Sequence, residues 1–340
     1  MIFLPNSMKF MRKGLAVLFI ATAMSVARAD SVLLNVSYDV TREFYKEFNV
    51  SFAAHWKATT GEDVSIKQSH GGSSKQVRSV LEGLEADVIT MNQAPDIDIL
   101  ASAGKLIPSD WATRLPNHSA PYTSTILFVV RKGNPKGIKD WADLGKPGIS
   151  VIIPNPKTSG NGRYSYLAAW GYALRLPGGN ESKARDFVKD VFGNVAVLDT
   201  GGRGATTTFG LHGIGDVLLT FENEIALLQH EFAAEGFIAI VPSTSIVAEN
   251  PVTWVDRYVK KHGTEKVARA YLEYLYSDEG QEIAAKHHFR PINAAVQAKY
   301  ANDFPSIPLF SVEDVAGSWD AAQTKHFADG GTFDQLYANK

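Results

Sequence analysis

Val64-Ser65-Ile66-Lys67-Gln68, then Ser69-His70-Gly71-Gly72-Ser73-Ser74, then Lys75-Gln76-Val77 reads as a β-strand giving way to an amphipathic helix through a Ser/Gly cluster. Val77, Leu81 and Leu84 fall on one side of that helix, and Ser73-x-x-Gln76 fits a capping box. Thr158-Ser159-Gly160-Asn161-Gly162 before Arg163-Tyr164 repeats the layout after a strand from Ser150 to Ile153. The first N–H groups of a helix lack intrahelical acceptors and carry the positive end of the macrodipole, so a strand-to-helix junction of this kind suits an anion. Glycine there lets a ligand reach the backbone.

The rest of the chain extends the same alternation. Ser31 to Tyr38 predicts a strand ending at Asp39. A helix follows with Tyr45, Phe48, Phe52 and Trp56 on one face, ended by Gly61. Ala86 to Met91 predicts a third strand. Alternating strands and helices predict a largely parallel, doubly wound α/β sheet with ligands beyond the carboxyl ends of its strands. The apolar run Thr125 to Val130 reads as a crossing into a second lobe. That lobe holds the Ser159 cluster, a helix with Leu167, Trp170 and Leu174 inward, the turn Thr200-Gly201-Gly202-Arg203-Gly204 and a strand from Val217 to Phe221. Phe237 to Pro242 reads as the crossing back. The expected division is therefore lobe 1 from 30–124 and 246–340, and lobe 2 from 125–245.

Lys9, Arg12 and Lys13, the apolar stretch Gly14 to Met24 and Ala27-Arg28-Ala29 compose a cleavable signal peptide over residues 1–29, which predicts export and, in a bacterium, the periplasm. The remaining chain of about 310 residues exceeds what one core usually supports. It contains no cysteine, so disulfides, thiolate nucleophiles and cysteine metal sites are excluded. The net charge of −2 becomes −6 once the four leader cations are removed. An acidic exported chain without a Lys/Arg stripe is a poor nucleic-acid binder. Any anion must be held by local dipoles.

Catalytic signatures are missing. His70-Gly71-Gly72 has the look of an esterase oxyanion loop, but no G-x-S-x-G nucleophile elbow accompanies it. There is no phosphate-hydrolysing P-loop, His230-Glu231 lacks the second histidine of H-E-x-x-H, and His287-His288 are adjacent residues that face different ways on a helix. No metal or cofactor is expected. Taken singly, Ser73 reads as a plain helix cap and Ser159 as an ordinary turn residue. The anion reading draws its weight from donor-rich, charge-poor junctions recurring on both presumed lobes.

Asn35-Val36-Ser37-Tyr38-Asp39, Gln68-Ser69-His70-Gly71-Gly72-Ser73, Ala120-Pro121-Tyr122-Thr123-Ser124-Thr125-Ile126, Asn155-Pro156-Lys157, Tyr166-Leu167-Ala168-Ala169-Trp170-Gly171-Tyr172-Ala173-Leu174 and Gly330-Gly331-Thr332-Phe333-Asp334-Gln335 closely resemble the periplasmic sulfate-binding proteins of ABC importers. The similarity runs from about Leu33 to Gln335. It implies a type II periplasmic binding fold, two doubly wound lobes joined by a hinge and closing over one sulfate or thiosulfate. It also implies a monomer delivering ligand to membrane permease subunits with a cytoplasmic ATPase.

Carried over position by position, the resemblance implies an anion held by the N–H groups of Asp39, Ser73, Gly160, Asn161 and Gly202 and by the Ser159 hydroxyl. Two positions depart from the family. Asn161 stands where the family has a glycine, and Phe221 replaces a tryptophan whose indole N–H donates to sulfate. Arg203 reads equally as a supporting charge or as a surface ion pair. Phe221 and the polar Asn92-Gln93 keep open another tetrahedral oxyanion such as phosphate or molybdate. An extracytoplasmic ester hydrolase is the remaining alternative, and it demands a nucleophile or metal that the sequence lacks.

Overall fold

The computed structural model describes residues 1–3 and 31–337. The signal-peptide reading over 1–29 therefore falls almost wholly outside the described residues. Two sheets organise the rest. In the first, β1 (Ser31–Tyr38) pairs in parallel with β2 (Val64–Gly71) and β3 (Val88–Thr90). The second has β4 (Tyr122–Val130) near its centre and holds β5 (Val151–Pro154), β6 (Val195–Asp199), β7 (Val217–Phe221), β8 (Ile238–Ile240) and β9 (Ser245–Glu249). β10 (Val252–Trp254) adds antiparallel to β3 in the first sheet, while β11 (Arg290–Pro291) and β12 (Leu309–Phe310) edge the second.

The uninterrupted apolar run in β4 follows from burial on both faces. Ile126, Phe128 and Val130 enter one hydrophobic cluster, whereas Leu127 and Val129 enter another with Ile152, Phe209, Leu218 and Leu228. Alternate residues of a strand point to opposite faces, so each side needs its own apolar set. A third cluster, including Val36, Val77, Ile89, Met91 and Leu100, packs the helix Ser73–Leu81 onto the first sheet.

The helix Arg42–Thr60 buries the face read from sequence, with Phe44 joining Tyr45, Phe48, Phe52 and Trp56. It ends at Gly61, where φ is 75° and the N–H donates to the Lys57 carbonyl. A residue with a side chain is disfavoured in that left-handed conformation.

Two expectations change. Ile238–Ile240 does not cross back. It pairs antiparallel with Phe128–Val130 and stays in the second sheet, and the return runs through β9, which pairs with Thr123–Thr125. Apolar runs of similar length served both purposes, and only the pairing separates them. The chain from Leu309 onward also departs from a placement of all of 246–340 on lobe 1. Phe310 and Val315 press on Gly171, His326 meets Tyr166 and Phe333 meets Phe192, all on helices of the second lobe. This cover explains why the helix Gly160–Arg175 is buried from Gly160 through Ala173, and not only along the stripe of Leu167 and Trp170.

Phe48 is fully buried among Phe44, Tyr271 and Tyr274, with ring centroids 5.7, 5.2 and 5.4 Å away. Phe48→Ala should cost about 3–5 kcal/mol, because the surrounding rings are fixed on two packed helices, Arg42–Thr60 and Glu265–Tyr274, and cannot collapse into the void. Urea unfolding followed by circular dichroism should show a lower midpoint at an unchanged slope.

Candidate functional site

Between the two sheets, several helix starts face one another, and their first turns are unusually open. The helices Ser73–Leu81, Gly160–Arg175, Gly202–Gly210 and Glu222–Glu231 begin at Gly72, Ser159, Gly201 and Phe221, and none of these N-caps makes a side-chain cap bond. Away from this place, Asn180, Ser277 and Ser311 do cap their helices. Serine is a preferred cap, so Ser159 in the N-cap position without a cap bond leaves its hydroxyl for another partner.

Glycine sets how closely these starts approach. A Cβ on Gly72 would lie 2.6 Å from the Thr200 carbonyl oxygen and 2.8 Å from that of Thr158. One on Gly201 would lie 2.2 Å from Asp39 Oδ2, and one on Gly202 would lie 2.8 Å from Val40 Cγ1. In each case a first-lobe residue meets a second-lobe residue. The lobes are in contact, and the starts at 39, 73, 160 and 202 share one small volume.

Each sequence-derived position can be placed. Asp39 opens the 3-10 turn Asp39–Thr41 after β1, and its Oδ2 accepts from the Arg203 N–H at 3.1 Å. Ser73 is the first helical residue, not the cap, so the capping box fails. Gln76 instead donates to the Ser37 carbonyl and Ser69 Oγ. Ser73 Oγ accepts from the Gly160 N–H at 3.2 Å, across the lobes. Asn161 keeps its side chain within the second lobe beside Gly202, Nδ2 donating to Thr220 Oγ1 at 2.9 Å while Oδ1 accepts from Ser165. Its extra bulk relative to glycine is absorbed in the second lobe, and its backbone stays in the first turn. Phe221 is fully buried, edge-on to Tyr38 and Tyr164 at 6.3 and 5.9 Å between ring centroids.

Apart from the Asp39 carboxyl against Gly201, charge is arranged around this volume. Arg203 is not a surface ion pair: its guanidinium reaches Glu43 on the first lobe (2.7 Å) and Glu224 and Glu231 on the second (3.3 and 3.5 Å). Burial raises the Asp39 carboxyl, against the donors from Arg203 and its own turn. Burial also pushes Glu224 up to about 8, with Arg203 opposing.

A second bridge escaped the sequence reading. Arg163 lies 3.6 Å from Asp96, both buried, and Asp96 also accepts from Ser74 and Gln93. Its trace in the sequence is an arginine one turn into a glycine-led helix and an aspartate early in the helix Ala94–Ser102; nothing there pairs the two. Among the described residues, no group of three or more His, Asp or Glu could hold a metal ion, and no helix is long and apolar enough to cross a membrane.

Comparison with known proteins gives concordant results. The family model described as bacterial extracellular solute-binding protein matches residues 35–290. The chain is 59% identical over 312 residues to the thiosulfate-binding protein of Pseudomonas aeruginosa, covering 92% of this chain and 94% of that one. It is 55% identical over 323 residues to the sulfate-binding protein of Escherichia coli, covering 95% and 98% respectively. Among solved structures, the sulfate-binding protein of Mycobacterium tuberculosis aligns with a TM-score of 0.78 at 31% identity, over 86% of this chain and 98% of that one.

Glu224 generates a pH prediction. Its folded value of about 8 lies above the ordinary 4.5, so the folded state holds a proton that the unfolded state has lost in between. Its contribution to stability is fully present below pH 4.5 and is lost as pH rises through 8. Glu224→Gln should therefore flatten the fall in melting temperature between pH 5 and 8 in ligand-free protein. Parallel melting curves for the two proteins across that range would refute the assignment.

Proposed function

We propose, from the premise that this chain belongs to the bacterial extracellular solute-binding proteins, that it captures sulfate or thiosulfate between its lobes and passes it to an ABC importer. The observation that carries this reading is the meeting of uncapped helix starts from both lobes, while the neighbouring arginines are already engaged by carboxylates. The ligand-facing groups are the N–H groups of Asp39, Ser73, Asn161 and Gly202 and the Ser159 hydroxyl, joined by the Gly160 N–H when it exchanges Ser73 Oγ, its partner at 3.2 Å, for the anion. Phe221 forms an apolar wall beside them.

Sulfate carries no proton at neutral pH, whereas phosphate usually keeps one and needs an acceptor for it. Backbone amides and a hydroxyl therefore favour sulfate, since burying an unmatched P–OH costs about 1–3 kcal/mol. The protein works by binding and release without chemical conversion, as a monomer in the periplasm after removal of residues 1–29. Its partners are the membrane subunits and cytoplasmic ATPase of the importer.

Calorimetric titration with sulfate, thiosulfate, phosphate and molybdate tests the reading. Tight binding of either sulfur oxyanion with weak phosphate and molybdate is expected, and preference for phosphate or molybdate would overturn it. Ser159→Ala should weaken sulfate by about 1.5–3 kcal/mol, the range for a hydrogen bond to a charged group, at an unchanged ligand-free melting temperature. Gly72→Ala should act differently: it places a methyl against two main-chain carbonyls, so small-angle scattering in saturating sulfate should give a larger radius of gyration than the parent protein shows.

A further inference from the structure

Asn92 follows β3 on the first lobe and is 2% exposed. Its Oδ1 is fully enclosed and has no hydrogen-bond partner. A Cβ on Gly160 would fall 2.0 Å from that oxygen, 2.8 Å from Cγ and 3.1 Å from Nδ2. The amide thus rests on Gly160, at the open start of a helix of 16 residues, in the space only a glycine leaves. The same Gly160 donates its N–H to Ser73. A buried amide normally finds partners for both ends, and one left unsatisfied calls for an explanation. Gln93, next in sequence, gives its amide nitrogen to Asp96 and is accounted for as support for the Asp96–Arg163 bridge.

We propose that Asn92 is a ligand-contacting residue, donating a hydrogen bond from its side-chain amide to the anion held at the Ser73–Gly160 junction. The proposal rests on the anion-binding reading above and adds a side-chain donor from the first lobe to a set otherwise made of main-chain amides and one hydroxyl. The oxygen is enclosed against Gly160, so the end of the carboxamide left to meet the anion is its nitrogen, an obligate donor 3.1 Å from where a Cβ on Gly160 would lie. No titratable group is involved. The amide also engages only when the lobes meet, because Gly160 comes from the opposite lobe.

Calorimetry with sulfate and with thiosulfate on the full mature chain tests this through a cycle of Asn92→Ala, Gly160→Ala and the double variant. Asn92→Ala should weaken the tighter of the two anions about 10- to 100-fold, the span of one hydrogen bond to a charged group. Gly160→Ala should weaken binding by collision with Asn92, and the double variant should relieve the collision yet remain as weak as Asn92→Ala alone. Affinity within twofold of the parent in Asn92→Ala, or tighter binding there, overturns the proposal, since the latter would mean that the carbonyl end faces the anion. A double variant restored to parental affinity also overturns it, because Asn92 would then only fill space against Gly160. Should Asn92→Ala fail to fold, the isosteric Asn92→Asp carries the test: a carboxylate facing a dianion should cost more than 100-fold in affinity, and parental affinity would refute the contact. If the parent protein binds neither anion, the functional reading itself fails, which is distinct from loss of the Asn92 contact alone.

Discussion

The close approach of main chain to main chain at Gly72 governs this structure. With carbonyls of Thr158 and Thr200 within reach of a single methyl, the first and second lobes meet main chain to main chain at this point, with no side chain between them there. Much of what faces the cleft is therefore backbone, and the backbone at a helix start is a set of N–H donors with a fixed dipole behind it. A dianion needs many donors in a small space. Closing two lobes supplies them from both sides at once, and a donor fixed in a helix needs no reorganisation when the anion arrives.

Keeping positive side chains out of the cleft has a physical consequence for a carrier that must let go. A buried ion pair between a dianion and an arginine would depend on complete pairing, and loss of either partner would strand the other. Here Arg203 and Arg163 instead spend their charge on carboxylates, Arg203 on Glu43 across the lobes and on Glu231 of its own lobe, beside the protonated Glu224, and Arg163 on Asp96 across the lobes. The cations reinforce the closed arrangement and leave the helix starts to their dipoles. Bridges of this kind are sensitive to the protonation of their buried carboxylates, which is why burial of Glu224 matters beyond its own neighbourhood.

Legibility in the sequence followed the range of the interactions. Strand-to-helix junctions, the aromatic face of Arg42–Thr60 and the helix stop at Gly61 are local, and they read correctly from periodicity and glycine placement. The glycine-led helix starts after Gly72, Ser159 and Gly201 were visible for the same reason. Ser73 misled because its hydroxyl is used by Gly160, 87 residues away, and no local pattern reports such a partner. Asn161 was legible only as a departure from glycine: its side chain is bound to Thr220, 59 residues away, which no local pattern reports either. The return crossing was misplaced because an apolar edge strand and an apolar crossing strand have one composition. Asp96–Arg163 and the amide of Asn92 on Gly160 were illegible as contacts, since both exist only once the lobes meet.

The C-terminal segment shows how the second lobe keeps its half of the cleft in place. Lys157, just before Ser159, extends its ammonium to Asp334 (2.8 Å), Asp329 (3.3 Å) and the carbonyls of Phe327 and Ala328 (3.0 and 3.2 Å). The Gly330-Gly331-Thr332-Phe333-Asp334 stretch, about as far along the chain from the cleft as any, thereby braces the loop that carries Thr158 and Ser159. Phe310 and Val315 close over Gly171 on the same helix, so the Gly160 start is fixed from its far end as well. A loop facing an anion cannot be tied down from the ligand side without consuming the donors the ligand needs. Fastening it from behind, through a lysine and a packed C-terminal cover, leaves the first turn open and still rigid.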